Sequence, residues 1–458
     1  MALGSAIACG AAPVAPTLAP IASTVASASV VAPSAPSAAP APREPRPPPG
    51  TRDTTFGDNG VTVAPLSPPG ATRSEIKRLL LQPDGAIIAI GTASWPNMDP
   101  PGQIAIARYD ADGHIDTSFG DRGVTLAGSK LSFFPNGAAL QPDGKIVVVG
   151  SAVRTRYDWD VALVRLDRDG KLDPTFGDHG VVVKDLGSPG DMGRDVIIQR
   201  DGALVVVGGI CNQGCTAKDK RPKANDVLLA RFLPNGELDG PFGIGGVARV
   251  DLVPENDYAT HALQMPDGKI VVAGAATHRG SKDFVFLARV NVDGTLDTTF
   301  GGGRGWSSYA LGRWFSVWGL ARAPDGGFFV ADDNTSVLRF DARGEIDRAF
   351  AFGGCAHGSI EHGRPARVAA LVVDESSPIV VGTSGGALVA RWTPAGKVDE
   401  TFAPRGWSAY SFREGAYDGA EAAVIDSKRR IVVGGSSWTP SKPGAPFRMY
   451  FALTRVWL

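Results

Sequence analysis

Several things are scarce or missing here, and each narrows what the chain can be. Neither charge is in excess: 46 basic and 47 acidic side chains leave a formal net charge of -1. No overall field therefore draws the chain onto a polyanion, which argues against nucleic acid as a partner. No run of eighteen or more apolar residues is present, so no transmembrane helix is expected. Three catalytic signatures are also missing: a strand-to-helix nucleophile elbow of the Gly-x-Ser-x-Gly kind, a His-Glu-x-x-His helix and a phosphate-binding loop. Cysteine is limited to four residues, enough for one bridge and two leftover thiols.

Glycine and proline are abundant. The 58 glycines and 35 prolines are too many for a helical protein, and their clustering with short Val/Ile runs points to short strands joined by turns. A hydrophobic content of 43% is enough to bury a substantial core. The first 50 residues differ from the rest. From Met1 to Pro42 there is no charged side chain, and Ala, Pro, Ser and Val dominate up to "APREPRPPPG". Such a segment lacks the apolar periodicity that would offset its ordering entropy, so residues 1–50 read as a disordered, partly extended tether.

Beyond residue 50 the chain repeats itself. "QPDGAIIAIG" (82–91) returns as "QPDGKIVVVG" (141–150), "QRDGALVVVGG" (199–209), "MPDGKIVVAG" (265–274) and "APDGGFFVAD" (323–332), then decays to "VDESSPIVVG" and "IDSKRRIVVGG". A second unit ends in an arginine flanked by apolar residues: Arg108, Arg165, Arg231, Arg289, Arg339, Arg391 and Arg455. The mean period of about 58 residues suits a four-stranded propeller blade better than a helical repeat. Pro-Asp-Gly fits a three-residue hairpin loop with glycine in the left-handed position.

In "ARYDADGHIDTSFG" (107–120) the same logic makes Ala111, Asp112 and Gly113 the loop, so that Arg108 opposes Asp116. The spacing recurs as Arg165 with Asp173, Arg231 with Asp239, Arg289 with Asp297, Arg339 with Asp347 and Arg391 with Asp399. Each pair reads as a structural cross-strand ion pair. Arg455 lies three residues from the C-terminus, and its missing partner is Asp53, in the early echo "RDTTFGDNGVTV". The expectation is an all-β fold over residues 51–458: a seven-bladed β-propeller of four-stranded antiparallel blades, closed by the N-terminal strand pairing with the C-terminal one. The fourth strand of each blade is expected to begin at the Asp and run through Phe-Gly.

The repeated "LD-x-x-FG-x-x-G" together with "QPDGKIVVVG" resembles the delta-60 repeat family of bacterial β-propellers, over about residues 51–458. Two copies, "RAFAFGG" and "ETFAPRG", lose the Phe-Gly pair. The resemblance implies a propeller fold and an extracytoplasmic setting, and no particular chemistry. Separately, "GSAIACGAA" (4–12) resembles the end of a bacterial lipoprotein signal, whose cysteine, here Cys9, carries lipid. Ala6 stands where that motif usually has Leu, and no basic segment precedes it. An incidental cysteine is the alternative.

In such a meander the Asp-Gly turns share one face. The long, unlike loops (92–103, 151–159, 210–226 and 436–449) and interblade segments such as 306–318 share the other, where binding specificity usually resides. Counting seven residues back from each turn Asp gives Lys77, Asn136, Arg194, Thr260, Trp318, Arg367 and Gly419. Lys77, Arg194, Trp318 and Arg367 are the candidate ligand-binding residues, since cations pair with carboxylates and indole stacks on sugar faces. The plainer reading pairs these cations with acids such as Asp195 and Asp257. Trp95, Tyr157, Trp159 and Trp438 fall in loops, and Trp306, Trp314, Trp407 and Tyr410 near strand ends, as binding platforms or as caps between blades.

No metal or cofactor is expected. "DADG", "DRDG" and "NVDG" lack the ligands that complete a calcium loop, and Cys355, His357 and His362 lack zinc spacing. Cys211 and Cys215 form a local disulfide if the protein is exported, leaving Cys9 and Cys355. The leading function is an exported, non-enzymatic binding or scaffold propeller, possible anchoring by lipid included, that recognises a protein or carbohydrate ligand through its loop-rich face. Two alternatives are a carbohydrate-active hydrolase or lyase using acids such as Asp195, Asp257, Asp332 and Asp418, and a structural cell-envelope component.

Overall fold

A computed structural model describes residues 46–64, 72–95, 103–128, 133–155, 158–211, 225–254, 256–277, 283–312, 316–333, 335–357, 366–439 and 448–458. Cys9, Tyr157, Cys215, Trp314 and His362 lie outside them. The described residues form 28 strands and no helix. Five sheets are four-stranded antiparallel meanders in sequence order. The sixth has eight strands, in which Tyr417–Ile425, Arg430–Trp438 and Met449–Trp457 join Arg73–Leu81, Ile87–Ser94, Gln103–Tyr109 and Val124–Ala127. The single parallel bridge Arg73↔Met449 links the two groups, and Val61–Ala64 pairs antiparallel with Met449–Trp457.

The turns form for local reasons. At the first Pro-Asp-Gly, the Gln82 amide donates to the Ala86 carbonyl (2.8 Å) and the Gly85 amide to Gln82 (2.9 Å). Gly85 sits at φ 91°, where a Cβ is strained. In the next hairpin Asp110 pairs with His114, and the Asp116 amide donates to the Arg108 carbonyl (2.9 Å). Beyond that aspartate the chain departs from expectation, because it turns twice before the fourth strand begins at Val124 and pairs with Gln103–Tyr109. Asp116 supplies the reason. Its Oδ1 accepts from the Ser118 amide (3.0 Å) and hydroxyl (2.6 Å), which replaces ladder bonds with a side-chain turn. Phe119 is then driven into the core at 0% exposure, and the Gly120 amide donates to the Asp169 carbonyl of the neighbouring sheet (2.8 Å).

The arginine of each hairpin ties these parts together. Arg108 Nε lies 2.7 Å from Asp116, Arg165 2.8 Å from Asp173, Arg289 2.6 Å from Asp297, Arg339 2.9 Å from Asp347 and Arg391 2.7 Å from Asp399. Arg231 likewise pairs with Asp239. The guanidinium does more than bridge its own hairpin. Arg108 also donates to the Arg168 carbonyl of the next sheet (2.7 Å) and lies over the Phe119 ring at 4.9 Å. Arg455 does the same across the chain ends, binding Asp53 (2.8 Å) and the Ala111 carbonyl while covering Phe56.

The core lies between neighbouring sheets. Ile88, Ile90, Ile104 and Ile106 pack against Phe133, Ile146, Val148 and Val164 of the following sheet. Both faces of each second strand are covered, which is why its sequence reads as an unbroken Ile/Val run and does not alternate. The first strands Arg73–Leu81, Phe133–Leu140, Met192–Ile198, Asn256–Gln264, Val317–Arg322, Arg367–Asp374 and Tyr417–Ile425 touch in succession, and the last touches the first.

Asp53 is 2% exposed and is held by Arg455 and Arg430, themselves 1% and 6% exposed. Asp53→Ala takes from Arg455 its one buried carboxylate among the described residues, while Arg430 keeps Asp426 at 2.7 Å, so urea unfolding should show a loss of about 3–5 kcal/mol. The same change at the partly exposed Asp116 should cost about 1 kcal/mol or less. Equal losses would mean that burial of the pair is not what matters.

Candidate functional site

Every first strand carries a β-bulge. The register shifts between Ile76 and Arg78, Pro135 and Gly137, Gly193 and Asp195, Ala259 and His261, Val317 and Gly319, Val368 and Ala370, and Ala420 and Ala422. The extra residues are therefore Lys77, Asn136, Arg194, Thr260, Trp318, Ala369 and Glu421. A bulge leaves its extra residue outside the ladder and re-aims its side chain. Six of the seven bulges face a glycine on the second strand, Asp332 taking its place opposite Val317: a Cβ on Gly91 would stand 1.8 Å from the Glu75 carbonyl oxygen, and one on Gly150 1.9 Å from that of Phe134. The "VVVG" glycine therefore permits the close approach that shapes the bulge.

This register corrects two of the expected positions. Arg367 and Gly419 are not the equivalents of Lys77, because Asp374 and Asp426 open their turns where Gln82 opens the first, two residues before the Asp of Pro-Asp-Gly. Ala369 and Glu421 hold those places. The glycines Gly382 and Gly435, opposite Val368 and Ala420, are the sequence signal that would have found them.

Lys77, Asn136, Arg194, Thr260, Trp318 and Glu421 all line one cavity of about 240 Å³, together with Arg78, Tyr258 and His261. Arg367 reaches the same group from one turn away, donating to Glu421 (3.1 Å) and lying 5.0 Å over the Trp318 ring. The four expected ligand-binding residues are thus brought together. The charges are mostly matched locally, by acids other than those expected. Lys77 pairs with Glu75 (2.8 Å) and Arg367 with Glu421. Burial pushes the Glu421 carboxyl upward, opposed by Lys77 and Arg367. Among the described residues Arg194 has no carboxylate partner; burial lowers its pKa, and its Nε is shut from solvent without an acceptor. Trp318 Nε1 is likewise buried without an acceptor among the described residues. His261 is pushed down to about 3 by burial and by Arg78, so its imidazole is neutral at physiological pH.

The other candidate acids do structural work and are not among the residues lining this cavity. Asp195 accepts from the Val196 and Ala262 amides. Asp257 accepts from Val227, Leu252 and Val253, Asp332 from Ser336, and Asp418 from Ser411 and Phe412. Glu421 is the cavity's one lining acid among the described residues, so the pair of carboxylates that a glycosidase requires is not assembled there. Gly382–Gly386 does spell Gly-x-Ser-x-Gly. However, Ser384 lies in the turn between Ser377–Thr383 and Ala387–Arg391, with no helix following to make an elbow.

Several aromatics stack as caps: Phe134 with Trp159 at 5.4 Å, Phe284 with Trp306 at 6.1 Å and Tyr417 with Trp438 at 4.5 Å. Cys211 is disulfide-bonded. Cys355 is a buried free thiol raised to about 12 by burial, which makes it a poor nucleophile and metal ligand. Asp160, Asp185 and Asp191 bring carboxylate oxygens within 4.8 Å of one another. Arg154 already sits on Asp160 and Asp185, supplying the positive charge that a cation would bring.

A family described as a domain of unknown function (DUF5122) beta-propeller matches residues 82–119, 141–176 and 266–300, which supports a β-propeller repeat family for this chain. Among solved structures, a protein of unknown function from Dyadobacter fermentans is 13% identical; 87% of this chain and 99% of that one are covered, at a TM-score of 0.44. The polysaccharide lyase Uly1 is 11% identical, with 88% and 92% covered and a TM-score of 0.45. A gluconolactonase from Xanthomonas campestris is 16% identical, with 90% and 95% covered and a TM-score of 0.36. No curated protein matches the chain.

Titration should leave two opposed marks on stability. Burial raises Asp257 to about 7 and Asp191 to about 6, so the folded state binds more protons there and gains stability as pH falls through those values. Asp53, Asp116 and Asp399 are held below the usual range: hydrogen bonds from Thr55, Ser118 and Thr401 and the paired arginines prevail over burial. Their contribution is lost as pH falls below about 4. The melting temperature should therefore rise from about pH 8 to about pH 5 and drop below about pH 4. Asp257→Asn should shrink the rise, and an unchanged rise would refute the assignment.

Proposed function

We propose that this chain is a non-enzymatic binding propeller of the delta-60 repeat kind, and that its ligand enters the cavity where the first-strand bulges converge. Convergence is the observation that carries this reading. Side chains from six first strands meet in one cavity, and two of its buried donors lack acceptors. Convergent polar groups in a concavity are the usual mark of a ligand site. A closed ring of seven blades is part of the proposal. Dividing the eight-stranded sheet at its Arg73↔Met449 bridge gives the seven, and the Val61–Ala64 pairing on Met449–Trp457 supports closure.

The setting is extracytoplasmic, with residues 1–50 as leader and tether and Cys9 as the lipid-bearing residue. A disulfide between Cys211 and Cys215 belongs to the same proposal. The disulfide-bonded state of Cys211 supports an oxidising compartment, and a non-reducing peptide map should join the two.

Two measurements test this reading. Deleting residues 51–64 should abolish cooperative thermal unfolding, and a retained transition would dismiss closure. Filling the cavity with Thr260→Phe should remove ligand-induced stabilisation in a metabolite and glycan screen, while the variant keeps its melting transition. If hits survive that variant and vanish instead when Trp95 or Trp438 is changed, the site lies on the loops and the cavity reading is wrong.

A further inference from the structure

The cavity's charge and hydrogen-bond balance say what kind of ligand it lacks. This step rests on the reading of the cavity as a binding site. Lys77 is matched by Glu75 and Arg367 by Glu421, while Arg78 stands close enough to Asp195 to stabilise its charge. Among the described residues Arg78, which donates to the Lys77 carbonyl (3.0 Å), is in no ion pair, and Arg194 has no acid in contact. Its contacts are the Tyr258 ring at 5.6 Å and Met192 Sδ at 3.9 Å, neither of which neutralises a guanidinium. Its Nε and Trp318 Nε1 are buried donors without acceptors. Buried donors are ordinarily satisfied, and the described residues offer these two no acceptor oxygen and Arg194 no negative charge.

We infer that the cavity binds a small hydroxylated monocarboxylate, of the class of a single sugar acid, with its carboxylate on Arg194 and an oxygen on the Trp318 indole N–H. A planar carboxylate matches the guanidinium fork. A carboxylate brings one negative charge into a cavity that Glu421 already lines, whereas a phosphate dianion would bring two. His261, being neutral, adds no second cation. Hydroxyl groups find acceptors in Glu421, whose Oε1 alone is taken by Arg367, and in Asn136, whose Nδ2 is committed to the Gly193 carbonyl. At about 240 Å³ the space falls below the roughly 300–1,000 Å³ of drug-sized sites. That favours one sugar ring over an oligosaccharide.

Calorimetric titration of the full chain with glucuronate, galacturonate, glucose, galactose and glucose 6-phosphate tests the inference. A sugar acid should bind with a dissociation constant on the order of 1 mM or tighter, and its neutral counterpart roughly tenfold or more weakly. Arg194→Gln should cost the acid roughly tenfold in affinity and leave its advantage over the neutral sugar erased. The same variant should melt at or above the wild-type temperature, because it removes a buried charge that has no partner; a clear fall would make Arg194 structural and overturn the inference. Equal binding of glucose and glucuronate would overturn the carboxylate while leaving the cavity as a site. Preference for the phosphate would overturn the charge argument. Failure of both acids to bind would overturn the ligand class, and the Thr260→Phe screen separately decides whether the cavity is a site at all.

Discussion

The arrangement hangs on one aspartate per repeat. Placed directly after the second hairpin, it holds the hairpin arginine and starts the turn that drives a phenylalanine into the space between sheets, and in six of the seven its own side chain caps that turn, Asp239 being followed two residues on by Pro241. In three of the seven, Arg108, Arg165 and Arg455, the arginine then reaches a carbonyl of the following repeat. Sheet-to-sheet attachment is therefore built from directional contacts as well as from apolar burial, and both come from a stretch of about a dozen residues. At the chain ends the same latch is assembled from Asp53 and Arg455, which lie 402 positions apart, and there it is almost wholly buried.

A second local constraint shapes the interior. In six of the seven repeats the glycine that closes the Ile/Val run lets the first strand approach too closely for any side chain, and the strand is bulged there; in the remaining one Asp332 stands opposite Val317 and the bulge persists. Repeated from sheet to sheet, the bulge puts one freely variable residue at equivalent positions. The framework tolerates lysine, asparagine, arginine, threonine, tryptophan, alanine and glutamate there, because none of them takes part in the ladder. Chemistry can change at these positions with little effect on the sheets, which is how a repeating scaffold comes to hold an irregular site.

The hairpins and the Arg–Asp register were legible because they are short-range: Pro-Asp-Gly and an eight-residue spacing determine them within a dozen residues. The fourth strands were misread, since nothing in "DTSFGDRG" signals that Asp116 will cap Ser118 and turn the chain. Among the site residues, Lys77, Arg194 and Trp318 were found by counting from the turn. Glu421 was missed because "DSKR" puts its aspartate two places earlier in the loop than Pro-Asp-Gly does.

The sequence by itself determined the repeat, its turns, the partner of each hairpin arginine and the all-β class, because these follow from torsional preferences and charges close along the chain. Tertiary structure alone decided which cations are matched and which is not. Lys77, Arg194, Trp318, Arg367 and Glu421 are spread over more than 340 residues, and their pairing depends on distances set by the packing of separate sheets. A sequence records that an arginine is present; only the folded arrangement leaves Arg194 without an acid among the described residues and turns it toward a cavity.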